Sequence, residues 1–127
     1  MVGLMSRVLV IEDERGILGL IEAALVRSGH CVETAVDGCE GMAAFDRGDF
    51  DVVITDCVMP EAAGGDVLRH IRSSRRRPVP VIGMSGTPDL LRREDGFDAV
   101  LVKPFPLSRL LDAVSALCAG DVAEAAA

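Results

Sequence analysis

The feature that most constrains this chain is an alternation. Short runs of apolar, largely β-branched residues are separated, along nearly its whole length, by segments whose apolar residues recur every three or four positions. The runs are Arg7–Ile11 (RVLVI), Cys31–Val36, Asp51–Thr55 (DVVIT), Val79–Met84 and Ala99–Val102. Their hydrophobicity is continuous, which marks strands buried on both faces. Between them, Ile17, Leu20, Ile21, Ala24 and Leu25 form a helical stripe ended by Ser28-Gly29, with Leu18 and Val26 outside it as surface positions. Asp37 reads as the N-cap of a helix over Gly38–Asp46, and Pro60 with Gly64-Gly65 marks a loop before the stripe Val67, Leu68 and Ile71. Leu90–Glu94 has room for one or two helical turns, and Leu107, Leu110, Leu111, Val114, Leu117 and Cys118 line a closing helix.

Five such strand-helix units predict an α/β fold: a five-stranded parallel sheet, doubly wound, with helices on both faces and a shortened fourth helix. Right-handed crossovers in so short a chain favour the flavodoxin-like strand order 2-1-3-4-5. That order opens a crevice at the carboxyl ends of strands 1 and 3. At 127 residues the chain holds one domain. Its expected extent is residues 1–118, with residues 119–127 a short Ala-rich tail and no output domain.

Composition narrows the function. Twenty acidic residues against 13 basic ones give a formal charge of −7, which disfavours direct contact with nucleic acid. No apolar run approaches a membrane span and the first residues lack signal-peptide features, so a soluble, cytoplasmic chain with no membrane partner is expected. Cys31, Cys39, Cys57 and Cys118 include no CxxC pair and read as small, mostly buried apolar residues. Without Trp or Tyr, few surfaces exist on which a flavin could stack.

The residues that end the strands carry the chemistry. Glu12 and Asp13 follow strand 1, Asp56 follows strand 3, Ser85 follows strand 4 and Lys103 follows strand 5. Two carboxylates about 4 Å apart repel by roughly 4 kcal/mol at an effective dielectric near 20, so three gathered at one edge call for a cation. Mg²⁺, which prefers oxygen ligands, is the simplest one. With Ser85 and Lys103 beside it, such a site suits a phosphoryl group, and an aspartate can accept phosphorus covalently while these groups neutralise its oxygens. Lys103 is the sole lysine among 12 arginines, which suggests that a compact point charge is needed there.

These motifs, VLVIEDE at 8–14, DVVITDCVMP at 51–60, PVIGMSG at 80–86 and KPF at 103–105, with DG at 37–38, resemble the receiver domain of bacterial two-component response regulators. The resemblance covers Arg7 to about Cys118. It implies that Asp56 is the phosphoacceptor, that Asp13 binds Mg²⁺ directly and Glu12 through a water, and that the backbone carbonyl of Val58 is a further ligand. It also implies that Ser85 is the phosphate-sensing hydroxyl, that Lys103 is the phosphate-binding cation, and that the Lys103-Pro104 bond is cis. The implied function is a switch rather than an enzyme. A histidine kinase or histidine phosphotransfer protein phosphorylates it, the first helix helping to dock the kinase, and the phosphorylated form acts on a downstream protein target.

Three positions depart from the family pattern: the Ser85-to-Lys103 interval is shorter than usual, Val100 stands where a switch aromatic is usual, and Gly86 stands where Ala is usual. The alternative is a Mg-dependent aspartyl-phosphate phosphatase of the haloacid dehalogenase type. That class wants a second acid two residues past the nucleophile, where this chain has Val58. A flavodoxin would need a phosphate loop after strand 1, and Glu12-Asp13-Glu14 would repel a phosphate there. The run Arg75-Arg76-Arg77 reads as a solvated loop.

Overall fold

The computed structural model describes residues 6–58, 64–74, 78–87 and 96–118. The elements run β1 (Arg7–Ile11), α1 (Arg15–Arg27), β2 (Cys31–Ala35), α2 (Gly38–Arg47), β3 (Val52–Asp56), α3 (Gly64–Arg72), β4 (Val81–Ser85), β5 (Ala99–Val102) and α4 (Leu107–Cys118). The strands form one parallel sheet in the order β2-β1-β3-β4-β5, as the alternation predicts. The expected short helix at 90–94, the Arg75–Arg77 loop, Pro60 and the 119–127 tail lie outside the described residues.

Side chains alternate between two cores because successive strand residues point to opposite faces. Val8 and Val10, Val52 and Ile54, and Ile82 and Met84 pack with Leu18, Ile21 and Leu25 of α1 and Leu110, Val114 and Leu117 of α4. Leu9, Ile11, Val53 and Val81 pack on the other face with Ala44 and Phe45 of α2 and Val67, Leu68 and Ile71 of α3. β3 and β4 are buried throughout. Among the described residues, no helix is long and apolar enough to cross a membrane.

Local chemistry sets the helix ends. Glu14 caps α1 by accepting the Gly16 N–H at 2.9 Å. Asp37 caps α2 by accepting the Glu40 N–H at 2.7 Å, while Glu40 reaches back to the Val36 N–H at 3.0 Å, a variant of the capping box. After Ser28, Gly29 turns the chain out of α1 with φ +96°, a left-handed conformation that costs glycine little.

Four expectations are corrected. Leu18 is buried and Leu20 is 62% exposed, the reverse of the expected stripe. At 3.6 residues per turn Leu18, Ile21 and Leu25 lie within about 60° of one another, and this arc faces the sheet. Leu20 lies across the helix axis from it, on the side toward the start of α4. The third strand runs from Val52 to Asp56 and the fourth from Val81 to Ser85, so Asp56 and Ser85 are strand residues rather than the residues that follow. The backbone ladder is indifferent to the polarity of the side chains it carries. β2 ends at Ala35 rather than Val36, and α2 extends to Arg47. Finally, only Cys57 of the four cysteines is buried. Cys31, which opens the edge strand β2, and Cys39, in the first turn of α2, are exposed, and Cys118 is intermediate.

Two glycines have opposite settings. A Cβ at Gly41 would meet the Ile11 side chain at 2.3 and 2.7 Å, so α2 approaches β1 only because this residue has no side chain. Overpacking costs about 1–3 kcal/mol, against about 1 kcal/mol regained from helix propensity. Gly41→Ala is therefore expected to lower the midpoint of urea unfolding despite alanine's helical preference. Nothing lies within 4 Å of a Cβ at Gly19, in α1, whose presence there only weakens the helix.

Candidate functional site

The carboxyl ends of β1, β3, β4 and β5 converge on one edge of the sheet. Glu12 extends the β1 ladder by one bond, its N–H donating to Ala35 O at 3.0 Å, and its side chain is drawn inward to 1% exposure. Both of its oxygens are engaged. Oε2 accepts the Glu14 N–H at 3.1 Å, and Oε1 receives the Lys103 ammonium at 2.7 Å. Asp13, one residue on, faces outward and is exposed. Asp56, at the end of the central strand, is 7% exposed. Its Oδ1 accepts the Cys57 N–H at 2.9 Å, and its Oδ2 stands 3.5 Å from the Lys103 Nζ.

One carboxylate oxygen each from Glu12, Asp13 and Asp56 lies within 4.8 Å of the others. Burial pushes the Glu12 carboxyl above its ordinary range, and the charge of Asp56 pushes the same way; the bonds from Lys103 and the Glu14 amide oppose both. For Lys103, burial pulls the ammonium down. The bond to Glu12 and the charges of Asp56 and Glu12 outweigh it, so the net shift is upward and the lysine is held charged.

Ser85 occupies the same edge and is 2% exposed, but its hydroxyl is engaged elsewhere. Oγ accepts the Thr87 N–H at 2.9 Å and donates to Thr87 O at 3.2 Å. The edge is stitched together below it, because the Lys103 N–H donates to Ser85 O at 2.8 Å. Val58 is 56% exposed beside Asp56, and the Lys103-Pro104 bond is cis. The structure thus brings Glu12, Asp13, Asp56 and Lys103 together and places Ser85 alongside them with its hydroxyl turned to Thr87.

Two contributors escaped the sequence. The Cys57 amide holds Asp56 and the Thr87 backbone holds Ser85, and no side-chain pattern announces a backbone donor. A third feature is an apolar cleft of about 270 Å³ beside Lys103, lined by Ile17, Leu20, Pro104, Phe105 and Leu107. The helical stripes place Ile17, Leu20 and Leu107 toward the core, whereas all three line this cleft.

Residues 8–115 match the family model of the response regulator receiver domain. The chain belongs to this family. Among curated proteins, it is 37% identical over 114 residues to the transcriptional regulatory protein TcrA of Mycobacterium tuberculosis, an alignment covering 87% of this chain and 45% of TcrA. It is 30% identical over 115 residues to the response regulator ArlR of Staphylococcus aureus, covering 89% of this chain and 52% of ArlR. The chain spans about half the length of these relatives. Of solved structures, the chemotaxis response regulator CheY4 of Vibrio cholerae superposes with a TM-score of 0.81 at 29% identity, covering 90% of this chain and 99% of that one. The response regulator TrrA of Thermotoga maritima, solved in complex with Mg²⁺-BeF, gives 0.81 at 30% identity, covering 89% and 99%.

A receiver domain is a signalling domain, and receiver domains bind Mg²⁺ at an acidic pocket. The donor set here fits that ion. Three carboxylates supply hard oxygens, and one ammonium leaves them two negative charges in excess.

Proposed function

We propose that this receiver domain is a phosphoacceptor switch in which Asp56 receives a phosphoryl group from a histidine kinase or histidine phosphotransfer protein in the cytoplasm. The phosphorylated form then binds a downstream protein target. One observation carries this reading: a buried aspartate at the end of the central strand stands 3.5 Å from the only lysine, within an acidic triplet.

The chain's own groups divide the work. Oδ2 of Asp56 is the attacking oxygen, because the Cys57 amide already holds Oδ1 and fixes the carboxylate plane. As the P–N bond of the donor phosphohistidine breaks, the new P–O bond forms at Asp56 and the imidazole departs. Lys103 balances charge on the transferred group, and the Ser85 hydroxyl donates to it after leaving Thr87 O. Asp13, Asp56 and the Val58 carbonyl would hold Mg²⁺ directly, and Glu12 through a water. When bound, that ion offsets the negative field that three carboxylates present to an anionic donor.

The test uses a small-molecule donor. Acetyl phosphate with Mg²⁺ is expected to add one phosphoryl mass to the intact protein, and excess chelator is expected to prevent it. No labelling with Mg²⁺ present, or equal labelling after chelation, would overturn the reading.

A further inference from the structure

Lys103 is delivered to the acidic triplet by the shortest of the described strands. β5 has four residues and pairs with β4 alone, and of its side chains only Leu101 is buried, so packing specifies its register weakly. A slip by one residue would carry Lys103 about 3.3 Å along the edge and reverse the faces of the strand. What holds the register lies at the other end. Asp98, five residues before Lys103, grips Val81 twice: its N–H donates to Val81 O at 2.9 Å, and its Oδ2 accepts the Val81 N–H at 2.8 Å. Arg72, the last residue of α3, locks this grip. Its Nη2 donates to the same Oδ2 at 2.8 Å and to Gly96 O at 2.7 Å, and its Nη1 donates to Val79 O at 2.8 Å. The planar fork of one guanidinium thus ties the end of α3 to the approaches of both β4 and β5. Phe97, between Gly96 and Asp98, is buried in the α2/α3 core and fixes where the chain arrives, while Asp98 fixes how it pairs.

We propose that Arg72 and Asp98 are positioning residues for Lys103, acting along β5 from the amino edge of the sheet. By fixing Asp98 against Val81 they set the register of the strand, and the register sets where the ammonium stands, 2.7 Å from Glu12 and 3.5 Å from Asp56. Neither residue touches the site. β5 crosses the sheet between two fixed points, Asp98 on Val81 and the Lys103 N–H on Ser85 O at 2.8 Å. Loss of the first leaves an edge strand held by the second and by Leu101. The consequence for phosphoryl transfer rests on the proposed role of Lys103 as the cation that balances the transferred group, whereas the consequence for the position of Lys103 does not.

Lys103 is the only lysine, so a ¹³C-lysine-labelled sample reports its surroundings in a single terminal methylene signal. In Arg72→Met that signal is expected to move toward the value of a solvated lysine. Labelling by acetyl phosphate with Mg²⁺ should slow on the order of tenfold, given that a misplacement of about 1 Å can cost about a hundredfold. Asp98→Asn, which keeps an oxygen for the Val81 N–H, should move the signal less and in the same direction. Val67→Ala, in the buried face of the same helix, controls for lost stability: it should lower the urea midpoint and leave the lysine signal in place. In a Lys103→Met background, Arg72→Met should slow labelling no further, because its effect passes through the lysine. An unmoved lysine signal in folded Arg72→Met, an equal shift in Val67→Ala, or a further loss of like size in the double variant would overturn the proposal. If Arg72→Met fails to fold, the Asp98→Asn signal decides the matter, and its staying still overturns the proposal. A signal that moves as expected, in a protein that acetyl phosphate does not label, would retain the positioning role and reject the phosphoacceptor reading.

Discussion

Asp56→Asn is expected to reduce phosphoryl incorporation from acetyl phosphate to background, with no loss of stability. The amide keeps an oxygen that can accept the Cys57 N–H, so the side chain stays in place, but a neutral carboxamide is no nucleophile for phosphorus. Thermal unfolding should occur at or above the wild-type temperature, because one of three mutually repelling carboxylates is gone and Lys103 retains its 2.7 Å bond to Glu12. The Glu12 carboxyl should titrate lower than in wild type, since Asp56 is one of the influences holding it up. Intact-mass spectrometry, a melting curve and a carboxyl NMR titration read these three outcomes. Full labelling of the Asn variant would move the phosphoacceptor elsewhere.

Ile54→Ala is expected to produce the largest loss of stability. Ile54 is fully buried in the middle of the central strand, on the α1/α4 face, and two residues along the same face from Asp56. Truncating a buried isoleucine costs about 2–5 kcal/mol, because the lost transfer energy is joined by an unfilled cavity. That is a large part of the roughly 5–15 kcal/mol that holds a domain of this size together. Urea unfolding with an unchanged slope and a much lower midpoint would show that the effect is on stability. A loss below about 1 kcal/mol would mean that the two helices close over the gap.

Much of the fold was legible because its sheet is buried on both faces. A strand can carry consecutive apolar residues such as Val52, Val53 and Ile54 only if helices cover both of its faces, and that requirement leads to parallel crossovers and the observed strand order. The site was legible for the same reason: once the order is known, Glu12, Asp13, Asp56, Ser85 and Lys103 must share an edge. Phase within a helix was less legible. α1 meets the sheet through Leu18 and turns Leu20 toward Phe105 and Leu107, and a periodicity count cannot tell which of two neighbours a residue serves. The cysteines failed similarly, since Cys31 belongs to an edge strand and edges are a property of the assembled sheet. Least legible was the pairing within the site. Lys103 and Glu12 are 91 residues apart, and the choice of Glu12 over Asp13 as its partner depends on which carboxylate the backbone turns inward.

Gly19 gives α1 an unusual position between rigidity and looseness. Its Cβ space is open and its backbone is ordinary, so the fold would accept a better helix former there, yet the helix that begins at the rim of the acidic triplet carries two glycines in its first five residues. Leu18, Ile21 and Leu25 pin its length to the sheet, while the turn from Arg15 to Gly19 is held by Glu14's cap, by Leu18 and by the partly buried Ile17. With two of its five residues lacking a side chain, this turn has less to bury than the rest of the helix, which is the condition under which local opening costs least. A partner seated over Leu20 would bury the exposed side of that turn, and part of its binding free energy would then go into ordering the chain. Occupancy beside the sheet edge would in that way become stiffness along a helix.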